Sequence, residues 1–525
     1  MKVLLSVFLA ILACGQIANG IRILGVFPLH GKSHWIMQEA LMRELAGRGH
    51  QVDVITHFPL KTPIPNYKDI SLKGSLPQVM NNVSATEIKG FSSPSIAHLV
   101  NMAGNSVCNL LSHPKLQQLI KNPPQDPPYD LVITELFASP CYLAFGRYLK
   151  VPVVATVASV FHDWLNEVSG NPSSLAFVPS FFSTYNQHMS FKERLINFFL
   201  SNYLSTQFHY YTNNQLKVVK EHFGMDLPHI KDLYNDVAVY LVNSHHTLNG
   251  IRPTTTNVIE IGGMHLKDDD DPLSPEIQKW LDESKDGFIY FTFGSMVRIE
   301  TFPKEMIEQF YAAFEKIAPV RILMKVAKKE DLLPGLPKNV MTHSWFPQIS
   351  VLKHKNIRAF ITHGGNFGTQ EAIYCGVPMI GIPLFGDQRI NIKNYANKEV
   401  AVMVELEGIT EQKLTSAMNS ILKGPYRENI QKLSKKFVDR PVSAMNMSVY
   451  WVEYIAKYGN VLRSPALDLY WWQRCLIDVY ALTFAVIFTV LYVALFILRK
   501  VKKFLCGSRT CTKKDNASMK SKKNK

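Results

Sequence analysis

Cysteine is scarce in this sequence, with seven residues in 525. Cys14 lies in an apolar N-terminal segment, and Cys506 and Cys511 lie in a basic C-terminal tail. Four cysteines remain in the body of the chain, namely Cys108, Cys141, Cys375 and Cys475. Such sparse, widely spaced cysteines imply no disulfide framework. The sequence is therefore not that of a small secreted protein held together by disulfides.

A basic surface is also missing from most of the chain. The formal net charge is +15, but residues 499–525 hold eleven Lys and Arg against the single acid Asp515. The remaining residues carry roughly +5, which is ordinary for a solvated surface. We therefore expect no nucleic-acid partner.

Two apolar segments predict the relation to a membrane. Residues 1–20 have one basic residue, an apolar stretch and a small-residue end, which is typical of a cleaved signal peptide rather than a buried first strand. Residues 479–498 contain no charge and are long enough for a transmembrane helix. Arg499 and Lys500 follow directly, so this side is expected in the cytosol and the body in the lumen.

Short motifs support a lumenal, single-pass type I protein of the endoplasmic reticulum. Lys522 and Lys523 stand four and three residues from the C-terminus, resembling a dilysine retrieval signal, although a lysine-rich tail also produces this pattern by chance. Asn82 and Asn446 begin sequons for lumenal glycosylation, whereas the sequon at Asn516 faces the cytosol.

Short apolar runs alternate with helical patterns in both halves of the chain, which predicts an α/β protein with two doubly wound parallel sheets. The predicted strands are residues 21–27, 51–56, 130–134 and 151–157, then 287–295, 321–326, 339–345, 359–365 and 378–384. The predicted segments are a first domain at 21–267, a linker at 268–275, a second domain at 276–440, return helices and the membrane approach at 441–478, the membrane helix and the tail 499–525. Facing domains of this kind leave a cleft at the carboxyl ends of their strands.

Residues 181–204 are unusually rich in aromatic side chains. Three interpretations stay open for this segment: an apolar acceptor pocket, contact with a bilayer, or a simple core helix.

One set of motifs in the second half is far more specific than the rest. It comprises Trp345-Phe-Pro-Gln348, residues 360–372 with His363-Gly-Gly365, residues 376–378, and Asp387-Gln388 followed by Asn391. Together these motifs resemble the signature of the UDP-glycosyltransferase family, and the likeness extends over nearly the whole chain. Residues 257–266 look most like invertebrate members. The resemblance implies a GT-B fold and transfer of a sugar from a UDP-sugar.

The residues of the expected donor site are predicted partly from the chemistry of a helix N-terminus and partly from the family resemblance. A buried strand is followed by a turn that contains His363 and Gly365, and a helix that contains Gly368 begins after it. The free N–H groups at the start of this helix suit a pyrophosphate. The hydroxyls of Ser295 and Thr369 are expected to assist there. Family roles are ribose binding for Glu371, uracil stacking for Trp345 with Gln348 nearby, and sugar recognition for Asp387 and Gln388. Asn366 is assigned no contact, because Phe367 follows it where the family pattern differs.

The catalytic pair is expected from the first half. The family's general base is the histidine of the Ser-His-Trp step, which is His34, and not the neighbouring His30. A carboxylate should orient it; many relatives have Asp after the corresponding strand, and this chain has Glu135. The alternative role for Glu135 is a helix cap.

The resulting hypothesis is inverting transfer of a hexose, with UDP-glucose favoured over UDP-glucuronate, to a small lipophilic acceptor in a detoxifying conjugation. Alternatives are UDP-glucuronate-dependent conjugation, glycosylation of a membrane lipid, and a catalytically silent lumenal binding protein. We expect no metal or other cofactor. The run 268–271 of four Asp lies in the predicted linker without supporting histidines, so it is interpreted as a solvated linker rather than a metal site. Arg252 is assigned a structural role rather than that of a carboxylate reader. Assembly into homo-oligomers stays open.

Overall fold

A computed structural model describes residues 20–77, 79–91, 95–266 and 271–521. The predicted signal peptide apart from Gly20, the dilysine pair, and residues 268–270 of the predicted linker lie outside these residues. Two compact units divide the chain between Ser464 and Pro465.

The first half is built on a seven-stranded sheet in the order β3-β2-β1-β4-β5-β6-β7, with every neighbouring pair parallel. Its strands are β1 (Arg22–Phe27), β2 (Gln51–Thr56), β3 (Tyr67–Ser71), β4 (Leu131–Glu135), β5 (Val153–Val157), β6 (Val237–Val242) and β7 (Val258–Glu260). Its α-helices are α1 (Lys32–Gly47), α2 (Ala85–Phe91), α3 (Ile96–Val100), α4 (Ser106–Cys108), α5 (Pro114–Lys121), α6 (Ala144–Leu149), α7 (Asp163–Ser169), α8 (Phe191–Thr212), α9 (Leu216–Phe223) and α10 (His246–Asn249).

The second half repeats this plan with a six-stranded parallel sheet in the order β10-β9-β8-β11-β12-β13. The strands are β8 (Phe288–Thr292), β9 (Arg321–Lys325), β10 (Val340–His343), β11 (Ile357–Thr362), β12 (Met379–Gly381) and β13 (Ala401–Met403). The helices are α11 (Pro275–Asp282), α12 (Lys304–Lys316), α13 (Gln348–Lys353), α14 (Asn366–Tyr374), α15 (Gln388–Asn397), α16 (Glu411–Lys423) and α17 (Tyr426–Val438). The prediction of two doubly wound parallel sheets is confirmed.

Shorter helical turns complete the connections. A π turn covers Asn101–Asn105, and 3-10 helices cover Asn109–Ser112, Pro140–Leu143, Asn213–Gln215, Ile230–Asp236, Ile299–Thr301, Lys329–Asp331 and Pro465–Asp468.

Both sheets are buried on both faces, as parallel sheets with crossover helices require. Strands β4, β5, β6 and β8 are buried along their whole length. Each sheet separates two apolar clusters, one on each face. Continuous apolar runs in the sequence therefore correspond to strands covered on both sides.

After the second sheet the chain returns to the first half. Helix α18 (Ala444–Tyr458) buries Val449, Val452 and Ile455 in the same apolar cluster as residues of α1 and β1. A short helix α19 (Trp471–Arg474) and the long helix α20 (Ile477–Ser521) follow. Within α20, Ile477–Leu505 is long and apolar enough to cross a membrane. The predicted span 479–498 lies inside it.

One disulfide joins Cys108 to Cys141, across a sequence separation of 33 residues. The expectation of no disulfide framework therefore overlooked one bridge. The bridge joins helix α4 to the 3-10 helix Pro140–Leu143, and spacing along the chain does not reveal that these two segments meet.

Candidate functional site

A cavity of about 1400 Å³ is lined by residues of both halves. Much of its wall is formed by segments that directly follow strands. In the first half these segments follow β1, β4 and β5, and in the second half they follow β8, β10, β11 and β12. Further lining residues lie between 79 and 103 and between 181 and 184. Ligands of open α/β sheets bind at this edge. The cavity is therefore the candidate active site.

His34 and Glu135 meet at the first-half side of this cavity. His34 lies in the first turn of α1, and Glu135 is the last residue of β4. The distance between His34 Nδ1 and Glu135 Oε1 is 2.6 Å. His34 lines the cavity, whereas the Glu135 side chain is only 5% exposed and lies behind the imidazole. A proton on Nδ1 donated to this carboxylate leaves Nε2 unprotonated for a substrate.

The carboxylates that raise the pKa of His34 come from both halves of the chain. Burial lowers the pKa of His34, but the carboxylate of Glu135, by charge and hydrogen bond, and the charge of Asp387 outweigh burial, so the pKa is raised above 6.5. Asp387 belongs to the second half. Its own pKa is raised by burial, against the hydrogen bond from Asn391 and the charge of His34. These shifts indicate an imidazole held ready to accept a proton.

His30 also lines the cavity but has a different environment. Its Nδ1 is buried without a hydrogen-bond partner among the described residues, and its nearest ring neighbour is His57. Burial lowers the pKa of His30. The structure thus brings a carboxylate to His34 and not to His30.

On the second-half side, helix α14 opens directly after the turn His363-Gly364-Gly365. Gly364 has φ of 89°, and a Cβ there would lie 2.4 Å from the Ile392 side chain, so this turn requires glycine. The N-terminal N–H groups of α14 are available for an anion. Burial, with the charge of Lys325, lowers the pKa of His363 to about 4. His363 is therefore a neutral hydrogen-bond donor rather than a cation.

Three faces of helix α14 have different surroundings. Gly365, Gly368 and Glu371 recur every three residues and line the cavity. Asn366 and Gln370 face the first half: Asn366 Nδ2 donates to the carbonyls of Ala158 and Asn243 at 3.1 and 3.2 Å. Asn366 also lines the cavity, so the assignment of no ligand contact to Asn366 stays a prediction.

Thr369 lies on the third, fully buried face of α14, and its hydroxyl donates to the Asn366 carbonyl at 2.9 Å. It is not among the residues lining the cavity. The structure therefore does not bring Thr369 to the site where the sequence analysis expected it. The reason is helical phase, because Thr369 is one residue past the cavity-facing Gly368.

The expected nucleotide-binding residues gather at one end of the cavity. Trp345 is 45% exposed and lines the cavity together with Ser295, Gln348 and Glu371. Gln348 Nε2 donates to Glu371 Oε2 at 2.5 Å. An exposed indole beside a carboxylate held by an amide suits a uracil ring and a ribose.

Asp387 and Gln388 also line the cavity, beyond β12. Asn391 Nδ2 donates to Asp387 Oδ2 at 2.9 Å. The side-chain oxygen Oε1 of Gln388 accepts hydrogen bonds from the backbone N–H groups of Leu384 and Phe385, at 2.9 and 3.0 Å. Asp387 is thus presented to a substrate, while the carbonyl end of Gln388 fixes the loop that carries it.

Lys325 is a cavity residue that sequence reasoning missed. It is 8% exposed, and its Nζ donates to Asn81 Oδ1 at 2.6 Å and to the Gly294 carbonyl at 2.8 Å. Nζ also lies 5.6 Å from the centre of the Trp345 ring. Burial lowers the pKa of Lys325 to about 8, against the charge of Glu300. The available signal was a lysine as the last residue of the strand Arg321–Lys325, directly after three apolar residues.

The aromatic segment 181–204 divides into two parts. Phe181 and Phe182 line the cavity on the first-half side. In α8, which begins with a capping box between Ser190 and Glu193, large apolar side chains are exposed. They are Phe191, Leu195, Ile196, Phe198, Phe199, Tyr203 and Tyr210, and they are called the α8 apolar residues below. A simple core helix does not describe them.

The remaining assigned residues lie elsewhere. Arg252 lines a separate cavity of about 30 Å³ beside Asp163. Asn82 and Asn446 are exposed. Among the described residues, no group of three or more His, Cys, Asp or Glu is arranged to hold a metal. The expected independence from metal stays a prediction.

Known proteins resemble this chain over most of its length. A family model described as UDP-glucoronosyl and UDP-glucosyl transferase matches residues 23–515. UDP-glucosyltransferase 2 of Dactylopius coccus is 36% identical over 470 residues, which is 88% of this chain and 89% of that protein. UDP-glucuronosyltransferase 1A9 of Mus musculus is 29% identical over 506 residues, which is 93% of each.

Solved structures share the fold. Phytolacca americana UGT2 complexed with UDP-2fluoro-glucose and pterostilbene has a TM-score of 0.55 at 18% identity, covering 83% of this chain and 100% of that one. The glycosyltransferase VinC in complex with DTDP has a TM-score of 0.55 at 15% identity, covering 84% of this chain and 100% of that one. With family model and relatives spanning most of the sequence, the chain belongs to the UDP-glucuronosyl and UDP-glucosyl transferase family, as a sugar-transferring enzyme of GT-B fold.

Proposed function

We propose that this enzyme transfers glucose from UDP-glucose, with inversion at the anomeric carbon, to a hydroxyl of a small lipophilic acceptor. The observation that carries the proposal is the His34–Glu135 pair, at 2.6 Å, in one cavity with the N-terminus of α14 and Asp387. The cavity therefore has a base, His34, on its first-half side and an anion-binding helix N-terminus, that of α14, on its second-half side.

In the proposed reaction the acceptor hydroxyl gives its proton to His34 Nε2 as its oxygen bonds to the anomeric carbon. The bond from that carbon to the β-phosphate oxygen breaks, and its electron pair leaves with UDP. Glu135 stabilises the imidazolium that forms, and the N–H groups of α14 with His363 receive the departing charge. A single in-line displacement inverts the anomeric centre.

The preference for glucose over glucuronate is supported by the cations near the site. Among the described lysines and arginines, Lys325 and Arg389 line the cavity. Both terminal nitrogens of Arg389 are bonded to Glu405, and Lys325 is bonded to Asn81 and Gly294 beside Trp345. A glucuronate carboxylate would have to draw Arg389 away from Glu405, because Lys325 lies at the nucleotide side of the cavity beside Trp345.

The acceptor side is apolar where Phe137, Phe181 and Phe182 line the cavity, which suits a small lipophilic molecule. We also propose conjugation of the detoxifying type as the physiological role. A membrane lipid is the second candidate acceptor, favoured by the α8 apolar residues together with the apolar helix Ile477–Leu505.

We place the body of the enzyme in the lumen of the endoplasmic reticulum, as a type I protein with a cytosolic tail. The signal-like residues 1–20, the basic residues after the apolar helix and the Cys108–Cys141 disulfide support this location. The exposed Asn82 and Asn446 would then be open to glycosylation. The division into an acceptor-binding domain at 21–267 and a donor-binding domain at 276–440 is part of the same proposal.

The test is a donor comparison in microsomes that express the full chain. UDP-glucose and UDP-glucuronate are offered separately with a panel of phenols, and acceptor-dependent UDP release is measured. We expect UDP release with UDP-glucose. The His34→Ala variant should release UDP about 10²- to 10⁴-fold more slowly, and the His30→Ala variant should keep most of the rate. Release with UDP-glucuronate alone would overturn the donor assignment, and none with either donor would favour a binding protein. Labelled glucose appearing in the extracted lipids would favour the membrane-lipid acceptor.

A further inference from the structure

His265 is a buried histidine to which the proposed reaction gives no task. It follows β7 in a segment that reaches the second half, where the Gly263 N–H donates to Gln370 Oε1 at 3.0 Å. The His265 side chain is 1% exposed. Neither ring nitrogen has a hydrogen-bond partner among the described residues. Buried polar atoms without partners are costly, so an unused imidazole at this place requires a reason.

The polar group that His265 faces is the carboxylate of Glu371. Its Nε2 lies 3.6 Å from Glu371 Oε1, just beyond hydrogen-bond distance. The other oxygen, Oε2, already accepts Gln348 Nε2 at 2.5 Å. The rings of His265 and Phe367 also pack edge to face, with 4.9 Å between ring centres, which limits where the imidazole can turn. A shift of under about 1 Å would bring Nε2 into hydrogen-bond contact with Oε1.

We propose that His265 is a positioning residue for recognition of the nucleotide ribose. On nucleotide binding its Nε2–H donates to Oε1 of Glu371, so that the carboxylate is held from both sides, by Gln348 and by His265. Each oxygen keeps a lone pair for one ribose hydroxyl. The inference rests on the proposed function, because it takes Glu371 as the ribose ligand.

The contact joins the two halves of the enzyme. His265 is carried by the segment after β7, whereas Glu371 and Gln348 belong to α14 and α13. The same segment is fixed to α14 through Gly263 and Gln370. Ribose binding by the second half therefore depends on a side chain that the first half delivers, and it should weaken when this side chain is changed.

The test separates ribose recognition from general damage by comparing UDP with 2′-deoxy-UDP as inhibitors. The ratio of their inhibition constants reports the 2′-hydroxyl contact. A hydrogen bond to a charged group predicts a ratio of about 10 to 150 in the unchanged enzyme. His265→Phe keeps an aromatic ring against Phe367 but removes the donor. We expect it to raise KM for the UDP-sugar with little change in kcat, and to reduce the ratio several-fold.

Two further variants make the outcome specific. His265→Gln returns a side-chain N–H donor and is expected to restore much of the ratio. Should His265→Phe fail to fold, His265→Asn, which is polar but too short to reach Glu371, takes its place with the same expected loss. A ratio unchanged in the donor-deficient variant would overturn the role of His265.

Glu371→Gln distinguishes this failure from a failure of the proposed function. If Glu371 binds the ribose, the ratio collapses in Glu371→Gln. A collapse there with an unchanged ratio in His265→Phe refutes only the positioning role. An unchanged ratio in Glu371→Gln refutes the ribose assignment itself, and with it the basis of this inference.

Discussion

Replacing Glu135 by Asp should damage the enzyme, even though Asp is the residue that the family resemblance led us to expect. Glu135 Oε1 lies 2.6 Å from His34 Nδ1. Shortening the side chain by one methylene withdraws the carboxylate by about 1.5 Å, to roughly 4 Å, where no hydrogen bond forms. The backbone cannot follow easily, because Glu135 pairs with Thr156 in the parallel ladder between β4 and β5.

The size of the effect follows from the lost bond. A hydrogen bond to a charged group contributes about 1.5 to 3 kcal/mol. Because each 1.36 kcal/mol is about tenfold in rate, kcat/KM should fall about 10- to 150-fold in Glu135→Asp. Glu135→Gln keeps the reach and loses the charge, so it reports how much of the loss is due to charge.

The assay is the initial rate of UDP release in microsomes, at saturating UDP-glucose and varied acceptor. Affinity for UDP serves as the control for folding, because Glu135 is not among the residues lining the cavity. Both variants should bind UDP as the unchanged enzyme does. A rate within twofold of the unchanged enzyme in Glu135→Asp would refute the argument from side-chain reach.

Three other predictions follow from the same site. His34→Ala should lower kcat about 10²- to 10⁴-fold with UDP affinity intact, and near-normal turnover would contradict the base assignment. Glu135 and Asp387 raise the pKa of His34, and a protonated His34 cannot act as the base, so kcat/KM should fall as pH decreases from a point above 6.5. The Asp387→Asn variant should shift this fall to lower pH, because it removes one of the two charges that raise the pKa. The ammonium of Lys325, whose pKa is about 8, is lost as pH rises through that value, so UDP should bind more weakly above it while uridine does not. Lys325→Met should weaken UDP binding and remove this pH dependence, whereas the exposed control Lys329→Met should do neither.

Most strands could be predicted because a parallel strand covered on both faces leaves a continuous apolar run in the sequence. The run in β6 has the same character, yet it was overlooked between long helical segments. Strands β7, β12 and β13 have only three residues each, and of these only β12 was marked by a longer apolar run. Short strands are defined by their neighbours in the sheet, and this information is not local.

The donor-site residues could be named in advance because the motifs of the family resemblance contain them, and they meet in space because they follow strands of one parallel sheet. Thr369 was placed incorrectly because a motif gives adjacency along the chain, whereas a helix turns adjacent residues to different faces. Lys325 was missed because a single lysine in a strand carries no motif. The partners that make it part of the site, Asn81 and Gly294, stand far from it in sequence.

The contacts that lie beyond sequence reasoning are those between the halves, and they are also the ones on which catalysis should depend. Asp387 of the second half helps to raise the pKa of His34 in the first half. Asn366 of α14 is bonded to backbone carbonyls that follow β5 and β6. A change in the relative position of the two halves would therefore alter the proton affinity of the base together with the distance to the donor. For this reason a variant that loosens the Asn366 contacts, such as Asn366→Ala, should lower kcat more than it lowers affinity for UDP, although Asn366 itself is expected to touch no ligand.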